Sequence, residues 1–154
     1  MKPNDPSFDA LRAAAAHAGQ GASFVSKWTV GEHVHHCCLT MIGVVRTLEH
    51  STQPPPPSRK SVPRSIVFVL GRIPRGRARS PQPVLPQQAV APEKLLSLID
   101  ASAREIGRAR SFERGTWIRH PIFGPLHRDD ALKFVRIHNH HHLRIVRDIL
   151  KTRR

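Results

Sequence analysis

Prolines decide where this chain is not helical. Most of its 14 lie between Ser51 and Ala91, a stretch also rich in arginine that opens with the run QPPPPS from Gln53 to Ser58. Proline fixes φ and removes an amide donor, so this run reads as an extended spacer. Two helical patterns precede the stretch and two follow it. In the first, about 6–18, Asp5 caps and Pro6 takes the first helical position. Phe8, Leu11, Ala14, Ala15 and Ala18 then recur at helical spacing up to Gly19. The second, about 29–50, begins with Thr29 and Glu32, the spacing of a capping box. The third, about 92–109, opens at Pro92 with Glu93 in its first turn and carries Leu95, Ile99, Ala103 and Ile106. The fourth, about 128–152, has acids in its first turn and Lys/Arg at its end. Within the proline-rich stretch, Val62 to Arg72 fits a short helix or an edge strand equally well. The expectation is an all-α, single-domain four-helix bundle over residues 1–154, with a long crossover connection, 51–91, between helices 2 and 3.

The fourth segment contains Ile137-His138-Asn139-His140-His141-His142-Leu143, and a helical pattern continues beyond it. On a wheel, Ala131, Phe134, Val135, His138, His142, Ile145 and Ile149 share one side. Lys133, Arg136, His140, Arg144, Arg147 and Lys151 share the other, His141 edges the inner face and Asn139 lies on a flank. Two imidazoles at i and i+4 on an apolar face have the reach to share a metal. Buried as plain packing, two polar rings would each need hydrogen-bond partners. A third ligand is open among His33, His35, His36, Cys37 and Cys38. The strongest apolar stripe of the second segment is Val34, Cys38, Met41, Val45 and Leu48, with His36 nearly opposite, so the wheel does not choose.

Charge and cysteines bound the partners. The formal net charge is +14, from 25 Lys+Arg against 11 Asp+Glu, which makes anions favoured ligands. The arginines are scattered, there is no recognisable nucleic-acid-binding motif and aromatics are few, so nucleic acid or another polyanion is the lesser reading. Adjacent Cys37 and Cys38 are poorly placed for an internal disulfide and fit a reduced, cytoplasmic setting as small packed residues. The longest apolar run, Ser65 to Gly71, is too short to span a bilayer, and the N-terminus has no signal-peptide core.

Three stretches carry a family resemblance. WTVGEHVHHC (Trp28 to Cys37), a tryptophan at the start of the second helix with a histidine eight positions later, resembles the DinB-like family of metal-binding four-helix bundles. HNHHHLR (His138 to Arg144) is similar to that family's closing helix, and HPIFGPL (His120 to Leu126) to the loop before it in one uncharacterised branch. The resemblance implies three histidines around one divalent metal, zinc or nickel, with open positions. Carried over by position, the ligands are His36, His138 and His142, and Trp28 is the helix-start tryptophan, expected as a structural wedge. His141 matches a histidine that orients water or substrate; His33 and His120 are further candidates for a supporting role, although a surface position suits a loop histidine such as His120. Enzymes of the family use thiols as S-transferases or as isomerase cofactors. The resemblance therefore implies a metal-dependent transferase or hydrolase that activates a thiol or water on a small, anionic substrate. A low-molecular-weight thiol is the further cofactor and a homodimer the implied assembly; a metal-binding scaffold without turnover is the alternative.

Overall fold

The structure, a computed structural model, describes residues 1–2, 4–51, 62–76 and 81–152. Its elements are α1 (Pro6–Ala15), α2 (Val30–Glu49), α3 (Val62–Leu70), a 3-10 turn (Gln82–Val84), α4 (Pro92–Ala109), β1 (Trp117–His120), β2 (Gly124–His127) and α5 (Arg128–Lys151). The four expected helices are α1, α2, α4 and α5. The spacer Pro54–Pro57, with Arg77 and Arg79 of the basic stretch, lies outside the described residues.

Helix starts follow the local chemistry. The Asp5 carboxylate accepts from the Ser7 amide at 3.0 Å, and Pro6 fills a position whose amide would have no partner. At α2 the box closes in both directions: Thr29 Oγ1 accepts from the Glu32 amide at 3.3 Å, and Glu32 Oε2 accepts from the Thr29 amide at 2.7 Å. The chain leaving α1 turns back on this end. The Val30 amide donates to the Gln20 carbonyl and the Gly31 amide to the Ala18 carbonyl, at 2.8 and 2.9 Å, so the first turn of α2 has its orphan donors satisfied. α1 ends at Ala15 and residues 16–19 form turns, three residues short of the expected end.

Gly31 permits that approach. A Cβ there would lie 2.9 Å from the Ala18 carbonyl oxygen and 3.0 Å from its Cβ. Alanine is better than glycine inside a helix by about 1 kcal/mol, yet overpacking against backbone costs about 1–3 kcal/mol. Gly31→Ala is expected to lower the melting temperature by about 2–6 °C; a rise would show that the α1–α2 junction yields freely.

Ion pairs fix the helix directions. Arg108, in the last turn of α4, pairs with Glu49 at the end of α2, so α2 and α4 run parallel. Arg12 of α1 meets Asp100 of α4 at 2.8 Å while the Met1 carbonyl accepts from Arg110, which sets α1 antiparallel to α4. α5 runs against α2, with 33 facing 142 and 36 facing 138. Parallel neighbours cannot be joined by a tight turn, and this is the physical reason for the long connection between α2 and α4. Phe8 and Leu11, Val34, Met41 and Leu48, Leu95, Ile99 and Ile106, and Val135 and Ile149 are all buried among the four helices.

One stretch that the sequence left open and one that it read as loop complete the bundle. Residues Val62–Leu70 are helical, with Arg64 bonded to the Pro125 carbonyl at 3.0 Å and paired with Asp130. The expected loop before the last helix is a two-stranded antiparallel hairpin, with Trp117 opposite His127 and His120 opposite Gly124. Gly124 takes φ +70° at its turn, a region that costs side-chain-bearing residues strain. No helix among the described residues is long and apolar enough to cross a membrane.

Candidate metal centre

His33 and His36 are one turn apart on α2, and His138 and His142 one turn apart on α5. Because the two helices run antiparallel, the pairs face each other. His36, His138 and His142 are 2, 9 and 7 % exposed, and one nitrogen from each lies within 4.8 Å of the other two. This group can hold a metal ion.

The rings are held from behind. His36 Nδ1 lies 2.6 Å from the Val84 carbonyl. A carbonyl only accepts, so Nδ1 carries the hydrogen and Nε2 of the neutral ring is a bare lone pair. That Nε2 faces His138 Nε2 at 3.0 Å. On the other flank His142 Nδ1 lies 2.9 Å from His33 Nδ1, and His33 Nε2 lies 3.0 Å from Ser26 Oγ, which also accepts from the Trp28 amide at 3.1 Å. Two proton assignments satisfy the chain, and in the one that suits a metal His33 Nε2–H donates to Ser26 and His142 Nδ1–H donates to the bare His33 Nδ1. His142 Nε2 is then free of hydrogen. Metal-bound imidazoles commonly show this pattern, one nitrogen donating to an outer partner and the other open.

Electrostatics favour the neutral rings. Burial lowers the pKa of His36, and holds those of His138 and His142 well below the ordinary histidine range, with the neighbouring imidazoles adding to it. Burial brings His33 and His141 down to about 4. His138 Nδ1 and Asn139 Oδ1 are buried with no hydrogen-bond partner; the Asn139 side chain favours protonated His138 without meeting hydrogen-bond geometry. In the metal-free protein, one of the two facing Nε2 atoms must carry a hydrogen or two lone pairs oppose each other. Three neutral imidazoles around one point fit a divalent ion of borderline softness, and that donor set resolves the conflict between the two Nε2 atoms.

The sequence of the chain matches the family model described as the DinB superfamily over residues 7–146. The chain belongs to the DinB superfamily. Comparison with curated proteins and with solved structures gives no match.

In this DinB superfamily member several residues stand elsewhere than the sequence reading expected. Trp28, expected as a structural wedge at the helix start, also lies over the histidines: its half-buried ring has centroids 4.9 Å from His36, 5.4 Å from His33 and 6.1 Å from His142. His120 is not a surface loop residue. Its Nδ1 accepts from the amides of Ile122 and Phe123 at 3.2 Å, capping the hairpin turn, and its ring stacks on Phe123 at 4.5 Å. Burial lowers its pKa to about 4. It reaches the triad through Phe134, whose ring is 4.6 Å from His120 and 5.6 Å from His138. His141 is half-buried, 5.0 Å from the His142 ring and against the Ile73 backbone. Asn139, expected on a flank, is fully buried, with its amide 3.3 Å from Met41 Sδ. His140 is exposed, as expected.

His35 turns away from the triad and accepts from the Gln87 amide at 3.0 Å. Cys37 and Cys38 are free and fully buried, with the Cys38 thiol pushed up to about 12 by burial and Cys37 raised well above the ordinary thiol range. Both stay protonated, so neither is a nucleophile. Ser26 and the Val84 carbonyl escape sequence reasoning altogether; the i, i+3 spacing of His33 and His36 is the one local signal that His33 belongs with the group.

Proposed function

We propose that His36, His138 and His142 bind one divalent ion, zinc or nickel, and that the chain is a metal-dependent enzyme of transferase or hydrolase type. His33 acts on the ion through His142, and the Val84 carbonyl through His36, each fixing the tautomer of a ligand. The observation that carries this reading is the convergence of three buried imidazoles, one nitrogen of each within 4.8 Å of the other two, with His36 and His142 hydrogen-bonded at their outer nitrogens. An ion held by neutral ligands keeps its full positive charge, and its Lewis acidity would be directed at a thiol or water. The basic surface supports a small anionic substrate or an anionic thiol cofactor. Buried, free Cys37 and Cys38 support a reducing, cytoplasmic setting.

Elemental analysis of protein purified without a polyhistidine tag is expected to give about one zinc or nickel per chain. No metal, even after reconstitution, would end the reading. A second reading, a metal-binding scaffold without turnover, is favoured by the near-complete cover that Trp28 and the helices give the three rings. Cobalt-substituted protein separates the two. A visible spectrum that shifts on adding a small thiol supports an accessible ion, and one that does not supports the scaffold.

A further inference from the structure

A different face of α5 carries a second feature, away from the histidines. α1 and α5 run parallel and leave between them a groove of about 880 Å³. Its cause is in the sequence. α1 turns Ala10, Ala13 and Ala14 towards the groove, and these methyl groups are too short to meet Leu143, Val146 and Leu150 of α5. The trough has the size of a small-molecule site. Its walls are apolar, but Arg144, Arg147 and Lys151 of α5 border it, and no Asp or Glu lines it.

The cations outnumber the carboxylates near them: Asp148 faces Arg75, Arg147 and Lys151 together. Asp9 on α1 is paired with Arg12 at 3.0 Å, and Asp148, on the same half of α5, with Arg75 at 2.6 Å. Arg144 is half-buried and has no hydrogen-bond or ion-pair partner among the described residues; Arg72, Arg75 and Arg147 surround it. Clustered like charges at the edge of an apolar trough call for an anion from outside. In the groove wall Ser7 is 1 % exposed, and its hydroxyl has no partner.

We propose that this groove binds a single-chain anionic amphiphile of the fatty-acid kind. The alkyl chain lies along the alanine trough, and the carboxylate sits among Arg144, Arg147 and Lys151. A second copy of the chain fits badly, because a two-fold contact here would set the same cations against each other. A partner helix fits badly too. The ten residues of α1 provide a wall only about 15 Å long.

The test is calorimetric titration of the full-length, metal-free protein at mildly alkaline pH, so that no bound ion competes for the carboxylate. The probes are decanoate below its micelle concentration, decanol and inorganic phosphate. Decanoate is expected to bind one per chain, with decanol and phosphate each weaker by at least about ten-fold. Ala13→Leu fills the trough at an exposed helical position where leucine is well tolerated. It should weaken decanoate by about ten-fold or more with unchanged helical circular dichroism. Arg144→Gln with Arg147→Gln should bring decanoate down to the level of decanol.

Phosphate binding as well as decanoate would reduce the site to a charged patch and overturn the proposal. Decanol binding as well as decanoate would remove the role of the cations and overturn it. Unaltered affinity in Ala13→Leu would place the ligand elsewhere. A dimer in sedimentation that Ala13→Leu dissociates would assign the groove to a second copy.

Discussion

Metal-free protein is expected to unfold cooperatively on mild acidification, with a midpoint near pH 5. His36, His138 and His142 are held neutral by burial, their folded-state pKa values lying below the ordinary histidine value of 6.5. The unfolded chain therefore binds more protons than the folded one once the pH drops below 6.5, and stability falls with pH from there. The loss continues until the folded pKa values are reached, about 4 for His33, with His138 and His142 also held well below the ordinary value by burial. Each such histidine costs about 1.4 kcal/mol per pH unit in that window. The three enclosed rings together cost at most about 4 kcal/mol per unit, against a total stability of about 5–15 kcal/mol for a typical domain. Far-ultraviolet circular dichroism followed from pH 7 to pH 4 checks this. A helical signal and melting temperature unchanged down to pH 5 would mean that the rings find water or counter-charges on protonation. Saturating metal should move the transition to lower pH, because protons must then also displace the ion.

The second large effect separates a ligand from a residue that orients one. His142→Ala is expected to take bound metal below detection in elemental analysis. His33→Ala should keep about one ion per chain at saturating metal while weakening its affinity about 10–100-fold, the range for outer partners of metal-bound histidine. Both variants should resist acid better than the parent when metal-free, since each removes a ring that must be neutral in the folded chain. Competition with a metal-binding dye gives the affinities. Full occupancy in His142→Ala would remove that residue from the site, and equal losses in the two variants would make His33 a ligand in its own right.

Much of this architecture is legible in the amino acids. Asp5–Pro6 and Thr29–Glu32 mark helix starts that form as their side-chain chemistry dictates. The i, i+4 spacing of His138 and His142 places both on the enclosed face of α5. His36 was not legible from periodicity. α2 is covered by α4 on one side and by α5 and the Gln82–Val84 turn on others, so no single face is polar, and only the family resemblance picked it out. The hairpin was hidden because each strand has four residues and β2 contains Pro125, a composition that reads as loop. The partners of His36 and His142 come from Val84 and Ser26, remote in sequence or outside any periodic element, and no local pattern announces them. The position of Trp28 at the helix start was legible, but not that its ring would lie over the histidines, since no spacing rule reaches from a residue before a helix to another helix.

The return of the long connection past His36 also ties one ring to a distant part of the chain. Forty-eight residues separate His36 from the Val84 carbonyl that orients it, and closing so long a loop forfeits chain entropy that the docked segment must repay. The tautomer of His36 is therefore set by a segment that belongs to none of the four bundle helices, and damage to that segment would be felt at a ring far from it in sequence.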